Sequence, residues 1–314
     1  MLSVALCTYN GETYIREQVE SILSQTLPVD EIVVCDDGST DNTLSIIESL
    51  RKGTNADFRI HRNETNLGVC ANFQKAVNLC KGDIIFLSDQ DDVWHNDKVE
   101  TIVNYFYHNH QKHVVFTDGQ LIDGSGKAIS NGTLWRCFGI NDKCLKQIED
   151  GFGIEIFAFE NRATGATMAI RRDFEYTSSF SHFCIDDILH DGALAMLALT
   201  NNHLGYISRC LIDYRIHSNQ ECGIGESLNN PVSNNPREAS YTATLWSKLS
   251  LPSPTDSRIA FIVLRQRRQH QPLGILRTIG SLNHYCKLYR SKWFSFFLFD
   301  IRQWFAVMWK RIFK

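Results

Sequence analysis

The segment Ile84-Ile85-Phe86-Leu87-Ser88-Asp89-Gln90-Asp91-Asp92-Val93-Trp94 joins a short apolar run to a loop that holds three carboxylates. A run that is apolar along its whole length reads as a strand covered on both faces. The chain before it repeats the same unit. Leu2 to Cys7 is a first run, Glu31 to Cys35 a second and Phe58 to His61 a weaker third. Between them apolar residues recur at helical spacing: Ile15, Val19, Ile22 and Leu23, then Leu44, Ile46, Ile47 and Leu50, then a helix from about Val69 to Cys80. Ser39-Thr40-Asp41 reads as the cap of the second helix. Strands alternating with helices predict a mostly parallel α/β sheet flanked by helices. Right-handed crossovers then open every loop at a strand's carboxyl end onto one edge, where such sheets bind ligands. Those loops are Thr8-Tyr9-Asn10, Asp36 to Ser39, Asn63 to Gly68 and Ser88 to Asp92.

At 314 residues the chain exceeds one typical domain, so one large domain plus an appendage is expected. Its 43% hydrophobic and 21% charged content are those of a globular enzyme, and a formal charge of −3 argues against nucleic acid as a partner. That mean hides an asymmetry. From Ser257 onward twelve Lys or Arg face one acid, Asp300, a net +11, which leaves 20 basic against 34 acidic residues before it, a net −14. The ten cysteines are scattered without a C-x-x-C pair and read as free thiols. Leu2 to Cys7 is too short and uncharged for a signal peptide, so no export is expected.

Beyond Asn104 the pattern is mixed. Val114 to Thr117 and Met168 to Ile170 read as strands with a loop-rich stretch between them, and Asp187 to Leu199 as a helix. Ser227 to Pro254, rich in Asn, Pro and Ser, reads as a linker. These features divide the chain into a domain over 1–227, with halves 1–115 and 116–227, a linker over 228–256 and a basic, aromatic helical tail over 257–314. Residues 293 to 309 crowd eight Phe and Trp residues around Asp300, Arg302 and Gln303. That interruption excludes a spanning helix and fits one lying on an anionic membrane surface; the competing reading is a docking helix.

Asp36-Asp37, Asp89 and Asp91-Asp92 would repel one another without a positive partner. A hard divalent cation, Mn2+ or Mg2+, takes one or two carboxylates and completes its shell with substrate phosphates. Asp41 reads instead as a helix cap. Neither G-x-x-x-x-G-K-[ST] nor a strand-linked G-x-G-x-x-G is present, which removes the P-loop and the dinucleotide fold. A phosphatase reading of Val33 to Gly38 fails because Gly38 stands where a second acid is needed. His108, His110 and His113 lack Cys or acid at ligand spacing and read as a solvated face rather than a zinc site.

Taken in order, Thr8-Tyr9-Asn10, Asp36 to Asp41, Asn66-Leu67-Gly68 and Asp89 to Trp94 resemble the signature of glycosyltransferase family two, of GT-A fold with a Rossmann-like nucleotide-binding half. The resemblance is strong over about Leu2 to Lys98. It implies that Thr8, Tyr9 and Asp36 hold the base and ribose of a nucleotide-diphosphate sugar, with Asn10, Asp37, Asn66, Gly68 and Asn72 around the nucleotide. It makes Asp91 a ribose or metal contact and Asp92 the direct metal ligand, supported by Asp89 with Trp94 on the sugar side. Ala163 to Met168 is similar to the loop facing the transferred sugar and acceptor, which brings in Thr164 and Gly165. His190-Asp191 falls where the family has its base.

An inverting transfer needs one carboxylate to take the acceptor's proton, so Asp191 is the expected catalytic residue, with Asp186 and Asp187 as rivals. The two-carboxylate arrangement of glycosidases is not required. Tyr214 to Asn219 is similar to a closing segment of rhamnosyltransferase-like members, where His217 could reach the metal and Arg215 offset diphosphate charge. The resemblance thus implies transfer of a sugar, with L-rhamnose from dTDP-rhamnose the best candidate and a UDP-hexose or UDP-N-acetylhexosamine the alternative. The acceptor would be a growing bacterial surface glycan or lipid-linked oligosaccharide at the inner face of the cytoplasmic membrane; whether the chain forms a homo-oligomer is open. Two rivals come from other classes. A sugar nucleotidyltransferase would want a basic, glycine-rich loop after the first strand, and Thr8-Tyr9-Asn10-Gly11-Glu12 supplies none. A glycan-binding scaffold would have no reason to retain Asp91, Asp92 and Asp191 together.

Overall fold

The computed structural model describes residues 1–157, 161–184, 189–218 and Gln220. The linker over 228–256, the tail over 257–314 and the rival acids Asp186 and Asp187 lie outside these residues.

The four apolar runs all form strands: β1 (Leu2–Thr8), β2 (Glu31–Asp36), β3 (Asp57–Arg62) and β4 (Ile84–Ser88). They pair in parallel in the order β3-β2-β1-β4, and every residue of β2 and β4 is buried. Burial on both faces is why these strands read as unbroken apolar runs. The helices α1 (Ile15–Leu23), α2 (Thr43–Arg51) and α3 (Val69–Leu79) make the crossovers. α1 buries Ile15, Val19 and Ile22 as its spacing predicts; α2 buries only Thr43 and Ile47 and lies at the periphery. The Asp41 carboxylate accepts from Thr43 N at 3.0 Å and Thr43 Oγ1 at 2.5 Å, so Asp41 binds the first turn of α2 as a cap would. Ser39 does not cap; it turns to Asp36.

The chain runs from β1 outward through β2 to β3, then returns to place β4 on the other side of β1. Strand order therefore reverses between β1 and β4, and a crevice opens beyond their carboxyl ends. Gln90 bridges it: its Oε1 accepts from Tyr9 N at 2.8 Å and its Nε2 donates to Tyr9 O at 2.9 Å.

The later half departs more from the sequence reading. After β5 (Val93–Trp94) and α4 (Lys98–His108), β6 covers Val114–Asp123, well past the expected Thr117. The stretch read as loop-rich folds into β7 (Ala128–Thr133), α5 (Leu134–Cys137), α6 (Asp142–Glu149) and α7 (Ile154–Phe157). A 3-10 turn over Gly165–Thr167 precedes β8 (Ala169–Arg171), and α8 (His190–Thr200) follows. β9 (Leu204–Ile216) was not anticipated as a strand; it pairs with β6 on one side and β5 on the other, and its burial follows no single period. β8 runs antiparallel to both β4 and β6 and joins the two halves into one nine-stranded sheet.

The eight cysteines among the described residues are free thiols, as their spacing implies. His108 Nδ1 lies 2.8 Å from Asn104 O, while His113 turns to Asp173 at 3.3 Å and to the His203 ring. Among the described residues no helix is long and apolar enough to cross a membrane.

Candidate active site

A cavity of about 510 Å³ lies over the carboxyl ends of β1 and β4. Of the residues singled out from sequence, Thr8, Tyr9, Asn10, Asp37, Asn72, Asp89, Asp91, Thr164, Gly165, His190 and Asp191 line it. The crossovers gather the first seven on one edge, and α8 with the 3-10 turn brings the other four to the same space.

Asp37 is fixed from below. Its carboxylate accepts from Asn63 Nδ2 at 2.7 Å, Leu67 N at 2.8 Å and Gly68 N at 2.9 Å. Gly68 takes φ of 78°, a left-handed conformation that favours glycine, so its part in the site is backbone geometry. Asn66 Oδ1 accepts from Gly68 N at 3.0 Å and shapes the same turn. Asn72 Nδ2 donates to Cys35 O at 2.9 Å. Neither Asn66 nor Gly68 is in the cavity wall.

The geometry places several of the expected site residues away from the cavity wall. Asp36 is fully buried and spends its oxygens on Thr8 Oγ1 at 3.0 Å, Ser39 Oγ at 2.5 Å and the Gly38 and Ser39 amides, so Asp37 rather than Asp36 faces the cavity. Asp92 is 1% exposed and its Oδ1 accepts from Arg215 N at 3.0 Å; Asp89 and Asp91, not Asp92, form the acidic wall. Trp94 is buried against Phe86 with rings 5.9 Å apart, because β5 pairs with β9 and turns the indole into the core. Arg215 is equally buried. Its Nε donates to Asp91 O at 2.8 Å and its Nη2 to Glu17 Oε2 at 2.5 Å, so it braces the acidic loop from behind rather than meeting a sugar. His217 is outside the wall but adjacent, its Nε2 2.9 Å from Asp91 Oδ2.

Among the described residues no Lys or Arg lines the cavity beside these acids. Burial, and after it Asp91, pushes the Asp89 carboxyl up to about 7. Burial, then Asp91 and Asp89, drives Asp92 well above the usual range, and its buried Oδ2 has no hydrogen-bond partner. Among the described residues no three His, Cys, Asp or Glu side chains are grouped to hold a metal by protein ligands alone. The two cavity carboxylates, Asp89 and Asp91, do fit a hard cation that completes its shell with phosphate, and His217 braces Asp91 beside them.

Asp191 sits in the first turn of α8, its Oδ1 accepting from Gly192 N at 2.7 Å and its Oδ2 from Gly165 N at 3.2 Å. His190 beside it stacks on Phe73 at 4.0 Å between ring centroids. Burial pulls its imidazole down, but Cys70, Asp191 and Asp89 outweigh that and hold it above its ordinary value.

The sequence reading missed part of the wall: Cys7, Val69, Phe73, Gln90, Phe138, Asn161, Ala163, Leu189, Tyr214 and Gln220 also line the cavity. Gln90, Ala163 and Tyr214 lay inside motifs already singled out; the apolar members carry no signal apart from their place in the fold.

A model of the family described as "Glycosyl transferase family 2" matches residues 3–163. A dTDP-rhamnosyl transferase, RfbG of Shigella flexneri, is 31% identical over 71% of this chain and 75% of its own length. A chondroitin synthase of Pasteurella multocida is 24% identical over 91% of this chain, which spans only 31% of that synthase's length. Among solved structures, a mannosyltransferase of Pyrobaculum calidifontis in complex with GDP-Man and Mn2+ superposes with a TM-score of 0.53 at 14% identity, covering 94% of this chain and 82% of that one, a likeness of fold. With a sheet of GT-A type, its acidic loop at the switch point and these relatives, the chain belongs to glycosyltransferase family 2.

Proposed function

We propose that the protein moves a sugar, with inversion at the anomeric carbon, from a nucleotide diphosphate to a growing bacterial surface glycan. The observation that carries this reading is that Asp89 and Asp91 share one cavity with Asp191. An in-line displacement needs phosphate handling and a proton acceptor within one substrate's reach. In this reading the half formed by 1–115 takes the nucleotide and the half formed by 116–227 the acceptor. Thr8, Tyr9, Asn10, Asp37 and Asn72 surround the nucleotide. Thr164, Gly165 and His190 flank the transferred sugar.

Asp91, with Asp89 beside it and His217 hydrogen-bonded to it, would hold Mn2+ or Mg2+; the Asp89 carboxyl, raised by burial and then by Asp91, supports a cation here, and the structural relative with GDP-Man and Mn2+ agrees. When bound, such an ion offsets the charge of the leaving diphosphate. Asp191 takes the proton of the acceptor hydroxyl, held in place by the Gly165 and Gly192 amides.

For the donor we favour dTDP-rhamnose, on the identity with RfbG over three-quarters of its length. A UDP-linked hexose or N-acetylhexosamine is the second reading, supported by the likeness of fold to S. aureus TarS in complex with UDP-GlcNAc. We read the basic aromatic tail over 257–314 as a contact with the inner face of the cytoplasmic membrane, on its charge of +11 and its Phe and Trp content.

A panel of dTDP-rhamnose, UDP-glucose, UDP-GlcNAc and GDP-mannose, each with Mn2+, Mg2+ or a chelator, tests the function. Metal-dependent release of nucleotide diphosphate from one member is expected. Intact nucleotide binding with no turnover of any donor would sink the reading in favour of a scaffold. Vesicle sedimentation of the full chain against one ending at residue 256 tests the tail, and equal sedimentation of both would refute it.

A further inference from the structure

Lys98 opens α4 and is fully buried, though it is no part of the cavity wall. An ammonium out of water is costly unless its donors and charge are met. Here they are met only in part: burial pulls the Lys98 amine down to about 7, and the charges of Asp92 and Asp89 offset that incompletely. Nζ donates to Ala166 O at 2.7 Å and sits 3.9 Å over the Trp94 ring, with the charges of Asp92 and Asp89 nearby. A Leu or Met would fill such a position beside Trp94 without that cost, and replacing buried charge by apolar volume is often neutral or stabilising. The charge therefore points to a role that packing alone does not need.

The geometry identifies what it connects. Ala166 belongs to the 3-10 turn Gly165–Thr167, and the neighbouring Gly165 N donates to Asp191 Oδ2 at 3.2 Å. Gly165 also packs so closely on His190 that an added Cβ would lie 2.3 Å from Nε2. One short path thus runs from Trp94, at the end of the acidic segment, through the Lys98 amine to the Ala166 carbonyl, the Gly165 amide and the Asp191 carboxylate. It joins the residues that would face the diphosphate to the residue that would take the proton.

We propose that Lys98 is a positioning residue of the transfer reaction: its buried ammonium clamps the turn Gly165–Thr167 to the acidic segment and so sets where the Asp191 carboxylate stands. This rests on the reading of Asp191 as the base. A shift of about 1 Å at a reacting group is enough to cost on the order of 100-fold in rate. The effect belongs on kcat, because Thr8, Tyr9 and Asn10, which would grip the nucleotide, leave from β1 and make no bond to this turn.

The test is a double-mutant cycle of Lys98→Met and Asp191→Asn in the full chain. It is read as nucleotide diphosphate released from whichever donor of the panel turns over fastest, with Kd values for UDP and dTDP measured alongside. We expect Lys98→Met to lower kcat roughly 100-fold while donor KM and nucleotide Kd stay within about threefold. In the Asp191→Asn background Lys98→Met should change kcat less than about threefold, because the group it positions is gone. A general loosening of the core would instead multiply the two losses, and that result overturns the proposal, as does a kcat within threefold of wild type for Lys98→Met. Wild-type kcat in Asp191→Asn alone would refute the base assignment itself, and the clamp with it. Should Lys98→Met fail to fold, Lys98→Gln is read by the same criteria.

Discussion

Asp91 Oδ2 and His217 Nε2 stand 2.9 Å apart although 126 residues separate them in the chain. The end of β9 carries His217 to the loop after β4, and Arg215 two residues earlier fastens both Asp91 and Asp92 to that strand. If this pair holds the cation, Asp91→Asn should remove metal-dependent turnover. His217→Ala should weaken Mn2+ about 10- to 100-fold, a size typical of groups that support a metal ligand. Titration of free Mn2+ by electron paramagnetic resonance reads both variants. Wild-type Mn2+ affinity in Asp91→Asn would place the ion elsewhere.

Asp191→Asn keeps the shape of the side chain but leaves one acceptor oxygen, so the bond from either the Gly165 or the Gly192 amide is lost. Loss of a general base lowers rate by roughly 10²- to 10⁴-fold. We expect kcat to fall in that range with the nucleotide Kd unchanged, measured by initial rates and calorimetry. Full transferase activity in this variant would show that the base is another group.

Gly165→Ala addresses the sugar side of the cavity. The new methyl would meet His190 Nε2 at 2.3 Å and Cε1 at 3.1 Å, and His190 has little room to retreat because its other face lies on Phe73. Overpacking of this kind costs about 1–3 kcal/mol. Thermal unfolding should shift down modestly while kcat falls more than nucleotide affinity does. An unchanged kcat would mean that His190 can move without disturbing the site.

Glu31 gives a pH prediction far from the cavity. Burial by itself would raise its carboxyl, but Ser3 Oγ at 2.5 Å, the Lys81 amide and the Arg59 guanidinium outweigh burial and hold it below its ordinary value. A carboxylate with a depressed folded pKa contributes stability that is complete above its unfolded value, about 4.3, and is lost as pH falls through the folded pKa. Glu31→Gln should therefore cost roughly 2 kcal/mol at pH 7 and less at pH 3, where the wild type has lost part of the advantage. Urea unfolding at both pH values checks the sign. A gap that does not shrink on acidification contradicts it.

The amino-acid sequence by itself determined the first half of the sheet, because strands buried on both faces leave unbroken apolar runs and their crossovers leave helical periods. It also determined that carboxylates gather at one sheet edge, since parallel strands with right-handed crossovers send all their loops the same way. Tertiary structure decided which carboxylate does what. Asp36 and Asp37 are neighbours in sequence, as are Asp91 and Asp92, yet in each pair only one, Asp37 or Asp91, reaches the cavity wall, while Asp36 is held by Thr8 and Ser39 and Asp92 by the Arg215 amide. That choice depends on where β9 and the loop 63–68 arrive, and no local pattern encodes it. β9 itself was illegible because its faces are covered unevenly along its length and its burial shows no single period. The burial of Trp94, and the Lys98 ammonium laid over it, follow from the same long-range pairing of β5 with β9.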